Sequence, residues 1–187
     1  MPQASVKKRA PRTKSKADIA RTIEMMTGQY GPFPQEPRLP PMDEMVFTIL
    51  SQHTSDINSS RAFQRLMGRF GSLEQVSVAE IPEIEVEIAP GGLAKIKAPR
   101  IKAILNQVLE EGGSFDLSFL SEMPLDQAKA WLKRLHGIGP KTAAIILCFS
   151  LGMPAMPVDT HIYRVSKRLG LIGARVTAEK AHDVLEA

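Results

Sequence analysis

Residues 141–152 run KTAAIILCFSLG, apolar on every side of a helix rather than along one stripe. A helix of that kind has to be enclosed by other elements. Nothing in the chain reads as a sheet able to enclose it. No stretch sustains a polar–apolar alternation bounded by hairpin turns, while apolar residues recur three and four apart throughout. The enclosing elements are therefore expected to be helices, and the fold class all-α.

The same spacing predicts where those helices lie. ADIARTIEMM (17–26) reads as a first helix, followed by GPFPQEPRLPP, whose five prolines in eleven residues demand an extended linker. MDEMVFTILSQ (42–52) carries acids in its first turn, as a helix start prefers. In INSSRAFQRLMGRF, Ile57, Ala62, Phe63, Leu66 and Phe70 fall near one face, and Gly71 ends the run. The acidic stretch 72–90, with five glutamates, predicts one or two short solvated helices. KAPRIKAILNQVLEEGG is a longer helix closed by paired glycines, with Lys95, Lys97, Arg100 and Lys102 gathered around its start. PLDQAKAWLKRLH opens on Pro124, suited to a first helical position, and is expected to bury Leu125, Ala128, Trp131, Leu132 and Leu135. VDTHIYRVSKRLGLI sets Ile162, Val165 and Leu169 on a stripe.

Charge narrows the choice of partners. Six of the 24 basic residues and none of the 20 acidic ones fall in residues 1–17, leaving 18 basic against 20 acidic residues for the body. The first 17 residues read as a solvated, disordered tail, and affinity for a polyanion must come from a local patch or from that tail. No apolar run approaches the roughly 18 residues that span a bilayer, so no membrane partner is expected. Cys148 is the only cysteine. That rules out an intrachain disulfide or a cysteine-based metal site, and predicts a core role in a reducing, intracellular setting, cytoplasmic at the nucleoid if the source is bacterial.

The most informative segment is LHGIGPKTA (135–143). Gly137, Gly139 and Pro140 stop any regular element, so two helices must be joined here by a sharp turn. Gly137 can adopt a positive φ, and Gly139 permits close approach of the backbone to a ligand. The free amides that open the next helix suit a phosphate; an ordinary αα-hairpin explains the same residues. Lys141 would stand in a first helical turn, where the dipole disfavours a cation, and before an apolar face that would desolvate it. Both effects favour a neutral, nucleophilic amine, while a solvated phosphate-binding lysine is the plainer reading. Eighteen residues on, Asp159 caps a helix from Thr160, or presents a carboxylate that stabilises positive charge on a sugar and moves protons. A cap can do both.

LHGIGPKTA followed by VDTHIYRVSKRLGL resembles the helix-hairpin-helix, Gly/Pro and aspartate motif of base-excision DNA glycosylases, and most closely the endonuclease III branch. The likeness covers most of the chain. PMDEMVFTILSQHTSDINSSRAF resembles that family's early helix, and GGLAKIKAPRIKAI its wedge loop and following helix. The resemblance implies a two-lobed helical enzyme with its active-site cleft between the lobes. A six-helix barrel would span 42–154, with the helix-hairpin-helix at about 125–152, and 18–41 plus 155–187 would form a partial second lobe. It implies a monomer acting on double-stranded DNA that holds a damaged base or an abasic site. Oxidised pyrimidines would be flipped out and excised, and the strand then cut by β-elimination through a Lys141 Schiff base assisted by Asp159. A uracil or mismatch glycosylase of the same superfamily, or a noncatalytic DNA-binding module, are the rival readings.

Further positions carry over from the resemblance. Gln52 and His53 stand where the family fills the gap left by a flipped base, with His53 in place of the commoner Gln or Asn. Leu93 resembles the wedge that parts the opposite strand. His136 replaces a proline frequent in the hairpin; with Gly137, Ile138, Gly139 and Thr142 it completes the implied DNA contacts. Endonuclease III relatives often ligate a [4Fe-4S] cluster through four cysteines near the C-terminus, which one cysteine cannot do. The helical pattern reaching Ala187 without a stop leads us to expect a fragment of a longer protein, with any cluster supplied by the missing part.

Overall fold

The computed structural model describes residues 14–31 and 39–187. The chain divides into two compact units: residues 36–157, and the terminal segments 1–35 and 158–187 together. Among the described residues there are helices and turns but no strand, as the spacing of apolar residues predicts.

In the larger unit, α2 (Pro41–Ser51) begins with a proline at its first position and Asp43 and Glu44 in its first turn. Ser55 caps α3 (Asp56–Phe70), accepting from the Asn58 amide, and Gly71 ends it at φ 78°. The acidic stretch folds as α4 (Leu73–Val78) and α5 (Ile81–Ile88). These are less solvated than expected, because Leu73, Val76, Ile84 and Ile88 are buried. A short 3-10 turn, Ala89–Gly91, leads to α6 (Ala94–Gly112), which stops at Gly113 with φ 71°. After α7 (Leu125–Arg134) come α8 (Pro140–Ile145) and a wider π-helical turn, Ile146–Ser150. The core joins α2, α3, α5, α6, α7, α8 and the π turn through residues such as Met45, Leu50, Leu66, Ile88, Ile101, Leu132, Ala144 and Leu147.

The enclosed helix of the opening stretch is thus present, but it loosens into a π turn and leaves Phe149 exposed. Pro124 stands at the cap of α7, one residue ahead of the expected first position. In α7, Ala128 and Leu132 are fully buried and Leu135 follows them, whereas Trp131 is half-buried against Phe119 and Arg134. Ile57 does not join the α3 stripe and is 74% exposed. It lies nine residues before Leu66, two and a half turns away, and so on the opposite face.

The smaller unit holds α1 (Lys16–Tyr30), α9 (Thr160–Leu169) and α10 (Ala181–Glu186). The first helix reaches into the segment expected to be tail, because Ser15 and Asp18 form a capping box that starts it at Lys16. Residues 1–13 of that tail and most of the proline-rich linker, 32–38, lie outside the described residues. The Lys14 amide donates to Gly170 O, and Tyr163 donates its hydroxyl to Val176 O at 2.8 Å. On the α9 stripe, Val165 is 47% and Leu169 43% exposed. No helix among the described residues is long and apolar enough to cross a membrane.

Candidate active site

The hairpin between α7 and α8 is built from its glycines upward. Gly137 adopts φ +75°, closed to most side chains, and the Arg100 guanidinium packs against it so tightly that a Cβ would lie 2.7 Å from Cζ. Gly139 is extended at φ −93°, and a Cβ there would meet open space. Between them Ile138 is buried, and its amide donates to Leu135 O at 3.1 Å. Its side chain therefore plugs the core and its amide closes the turn. Thr142 is buried as well, because it faces inward with Ala143 from the first turn of α8. His136 is exposed, and its amide donates to Gln107 Oε1 at 3.3 Å.

Lys141 is the second residue of α8 and is exposed. The apolar face that follows is turned into the core without covering the amine. The place at the helix start read from the sequence is present, and the expected burial is not.

Asp159 belongs to the smaller unit and caps α9. Its Oδ1 accepts from the His161 amide at 2.9 Å and the Ile162 amide at 2.8 Å. This is the capping role read from the sequence. His161 is exposed and its Nδ1 lies 3.1 Å from Arg164 Nη2.

Two exposed tips complete the set in the larger unit. The end of α2 turns out through Gln52 and His53, and His53 takes a left-handed φ of 56°. Leu93, the residue before α6, is likewise left-handed at φ 55° and is 49% exposed. A non-glycine residue in this region costs of order 1 kcal/mol and persists where the surroundings dictate it.

The residue that sequence reasoning passed over is Arg100. Its Nη1 donates to Gln52 Oε1 at 2.9 Å and its Nη2 to the Gly137 carbonyl, so it joins the end of α2 to the hairpin. The basic cluster at the start of α6 was the available signal, but nothing in a cluster reveals its acceptors. Lys97 is only 3% exposed and donates to Leu50 O at 2.7 Å and Gly91 O at 2.9 Å. Burial pushes its ammonium below the usual lysine range.

The sequence profile of the HhH-GPD superfamily of base excision DNA repair proteins matches residues 46–187. The chain belongs to that superfamily. An Arabidopsis thaliana protein provisionally named a DNA glycosylase is 38% identical over 141 residues, 75% of this chain and 48% of that one. Endonuclease III of Thermotoga maritima is 32% identical over 146 residues, 78% of this chain and 64% of that one. The chain therefore spans between about half and two thirds of the length of these relatives. In structure, a trapped endonuclease III–DNA covalent intermediate superposes with a TM-score of 0.74 at 24% identity, covering 92% of this chain and 78% of that one. An endonuclease III-like HhH-GPD fold is thus established.

The HhH-GPD resemblance also raised an iron–sulfur cluster. Four thiolates are needed, and the chain offers Cys148 alone, half-buried against the core with its thiol pushed up by burial. The residues present do not fit such a cluster. Among the described residues, no three His, Cys, Asp or Glu side chains gather to hold a metal ion.

Proposed function

We propose that this chain carries the catalytic residues of a DNA glycosylase with abasic-site lyase activity, acting on oxidised pyrimidines in duplex DNA. The observation that carries the proposal is Lys141. It is an exposed amine on the first turn of α8, directly after a Gly-Ile-Gly hairpin, in a member of a base-excision superfamily.

In the proposed reaction, unprotonated Nζ attacks C1′ of the deoxyribose, and the base leaves with the bonding pair and gains a proton. Asp159 is assigned the stabilisation of the positive charge that develops on the sugar, and the proton that the attacking amine loses is the one that the leaving base gains. Ring opening gives an iminium between Nζ and C1′. Loss of a C2′ proton then expels the 3′ phosphate, and water releases the enzyme. Gly139, with open space above its backbone, and the exposed His136 would lie against the phosphates.

Leu93 would part the strands, and His53 rather than Gln52 would fill the gap left by the flipped base. The Gln52 amide oxygen is already held by Arg100, while His53 stands exposed on its left-handed tip. Because fold does not dictate chemistry, substrate is tested directly. Duplexes carrying thymine glycol, 5-hydroxycytosine, uracil or a mismatch are compared for base release and for cleavage 3′ to the lesion. Release from the oxidised bases with cleavage supports the proposal. Release from uracil or mismatches alone transfers the chain to that class, and no release from any duplex refutes glycosylase activity.

A further inference from the structure

The three tips assigned to DNA lie far apart in sequence: the end of α2 at 52–53, the turn before α6 at 89–93, and the hairpin at 135–139. All three are tied to one helix. Lys97 and Arg100 stand three residues apart, on neighbouring positions of one α6 surface. From there Lys97 holds the carbonyls of Leu50 and Gly91, and Arg100 holds Gln52 and the carbonyl of Gly137. We propose that Lys97 and Arg100 are positioning residues, which hold the gap-filling tip, the wedge turn and the hairpin in one register so that all three meet a duplex together.

This inference rests on the proposed DNA glycosylase reading and deepens it. The argument is energetic as well as geometric. Burying a lysine is costly, and an apolar residue of similar size often does as well or better for stability. Here the buried amine instead joins a carbonyl of the last turn of α2, which lacks an intrahelical partner, to the turn bearing Leu93. Arg100 extends the tie with a rigid planar fork whose Nη1 and Nη2 donate in fixed directions to Gln52 and to the Gly137 carbonyl, a geometry that a flexible lysine does not reproduce. The two left-handed residues, His53 and Leu93, sit just beyond the pinned carbonyls. Their strained conformations need such support from fixed neighbours.

Lys102 supplies a matched control. It too lies on α6 and donates to a helix-end carbonyl, Ala79 O at 2.6 Å, but that carbonyl ends α4 and no DNA-facing tip hangs on it. The full chain is prepared as wild type and as Lys97→Met, Arg100→Met, Arg100→Lys and Lys102→Met. Each is mixed with a duplex holding a tetrahydrofuran abasic analogue beside 2-aminopurine, whose fluorescence reports unstacking without requiring any chemistry at Lys141. Excision from a thymine glycol duplex is then followed in single turnover.

Misplacing reacting groups by about 1 Å costs on the order of 100-fold. Lys97→Met and Arg100→Met are therefore expected to lose most of the fluorescence rise, and 10-fold or more in excision rate, at a melting temperature matching Lys102→Met. Arg100→Lys is expected to recover part of both, and Lys102→Met to behave as wild type. If Lys97→Met fails to fold, the Arg100 variants carry the same test. The proposal is overturned if the Lys97 and Arg100 variants stay within twofold of Lys102→Met, or if all three decline together with melting temperature. It is also overturned if the wild type itself fails to unstack the probe. A wild type that unstacks the probe but excises nothing refutes the glycosylase reading and leaves this test intact.

Discussion

Replacing Gly137 with alanine separates the two glycines of the hairpin, because their surroundings differ. At φ +75° an alanine pays roughly 1–2 kcal/mol for left-handed backbone. Its Cβ would also come within 2.7 Å of Arg100 Cζ, so the guanidinium must swing away and release Gln52 and the Gly137 carbonyl. Both groups reach water on the half-exposed surface, which recovers most of that bond energy. A loss of about 2 kcal/mol is expected, and for a chain of this size that corresponds to a fall of about 4–8 °C in melting temperature. Gly139→Ala should cost nothing measurable, since φ is −93° and the space above it is open. The same substitution sets a methyl where a phosphate would approach, so affinity for duplex DNA should drop about tenfold while the melt is unchanged. Thermal denaturation and fluorescence-anisotropy titrations read the two effects. The reasoning is refuted if Gly137→Ala melts within 1 °C of wild type, or if Gly139→Ala destabilises the fold without weakening DNA binding.

Asp159→Asn keeps an oxygen for the cap of α9 and should stay within about 0.5 kcal/mol of wild type, whereas Asp159→Ala should lose about 1 kcal/mol; both should lose base excision in single-turnover assays. Leu93→Gly relieves a left-handed residue, so stability should hold or rise by up to about 1 kcal/mol while excision from intact duplex falls. Burial, opposed by a backbone hydrogen bond and reinforced by Glu74, raises the Asp43 carboxyl above its usual range. Folding therefore disfavours its charged form, a penalty present at neutral pH and relieved as pH falls through the raised value. Asp43→Asn should accordingly stabilise the protein most near neutrality, with the gain over wild type shrinking towards zero in melts taken at increasingly acid pH.

What could be read from the sequence was what local chemistry decides. Gly71 and Gly113 end helices by supplying positive φ, and Asp159 caps α9 through amides two and three residues away. The hairpin likewise declares itself through Gly137 and Pro140. What stayed hidden depends on partners distant in the chain. Lys97 looks like one more member of a basic cluster until Leu50, 47 residues earlier, supplies its acceptor. Arg100 meets Gln52 across 48 residues and Gly137 across 37. Three of the four basic residues around the start of α6 are thus spent on internal acceptors, and a reading of charge alone would have aimed them all at DNA. Ile138 and Thr142 show the same limit at the candidate site. A motif names the residues of a hairpin, but only packing decides which of them face the core.

The central claim, that Lys141 is the nucleophile, is tested most directly by borohydride reduction in the presence of duplex DNA bearing an abasic site. An iminium at Lys141 would be reduced to a stable amine, so the account predicts a covalent protein–DNA complex with wild type. Lys141→Gln, a change at an exposed position, should form none while still binding and melting like wild type. Absence of the complex with wild type, or equal trapping by Lys141→Gln, would contradict it.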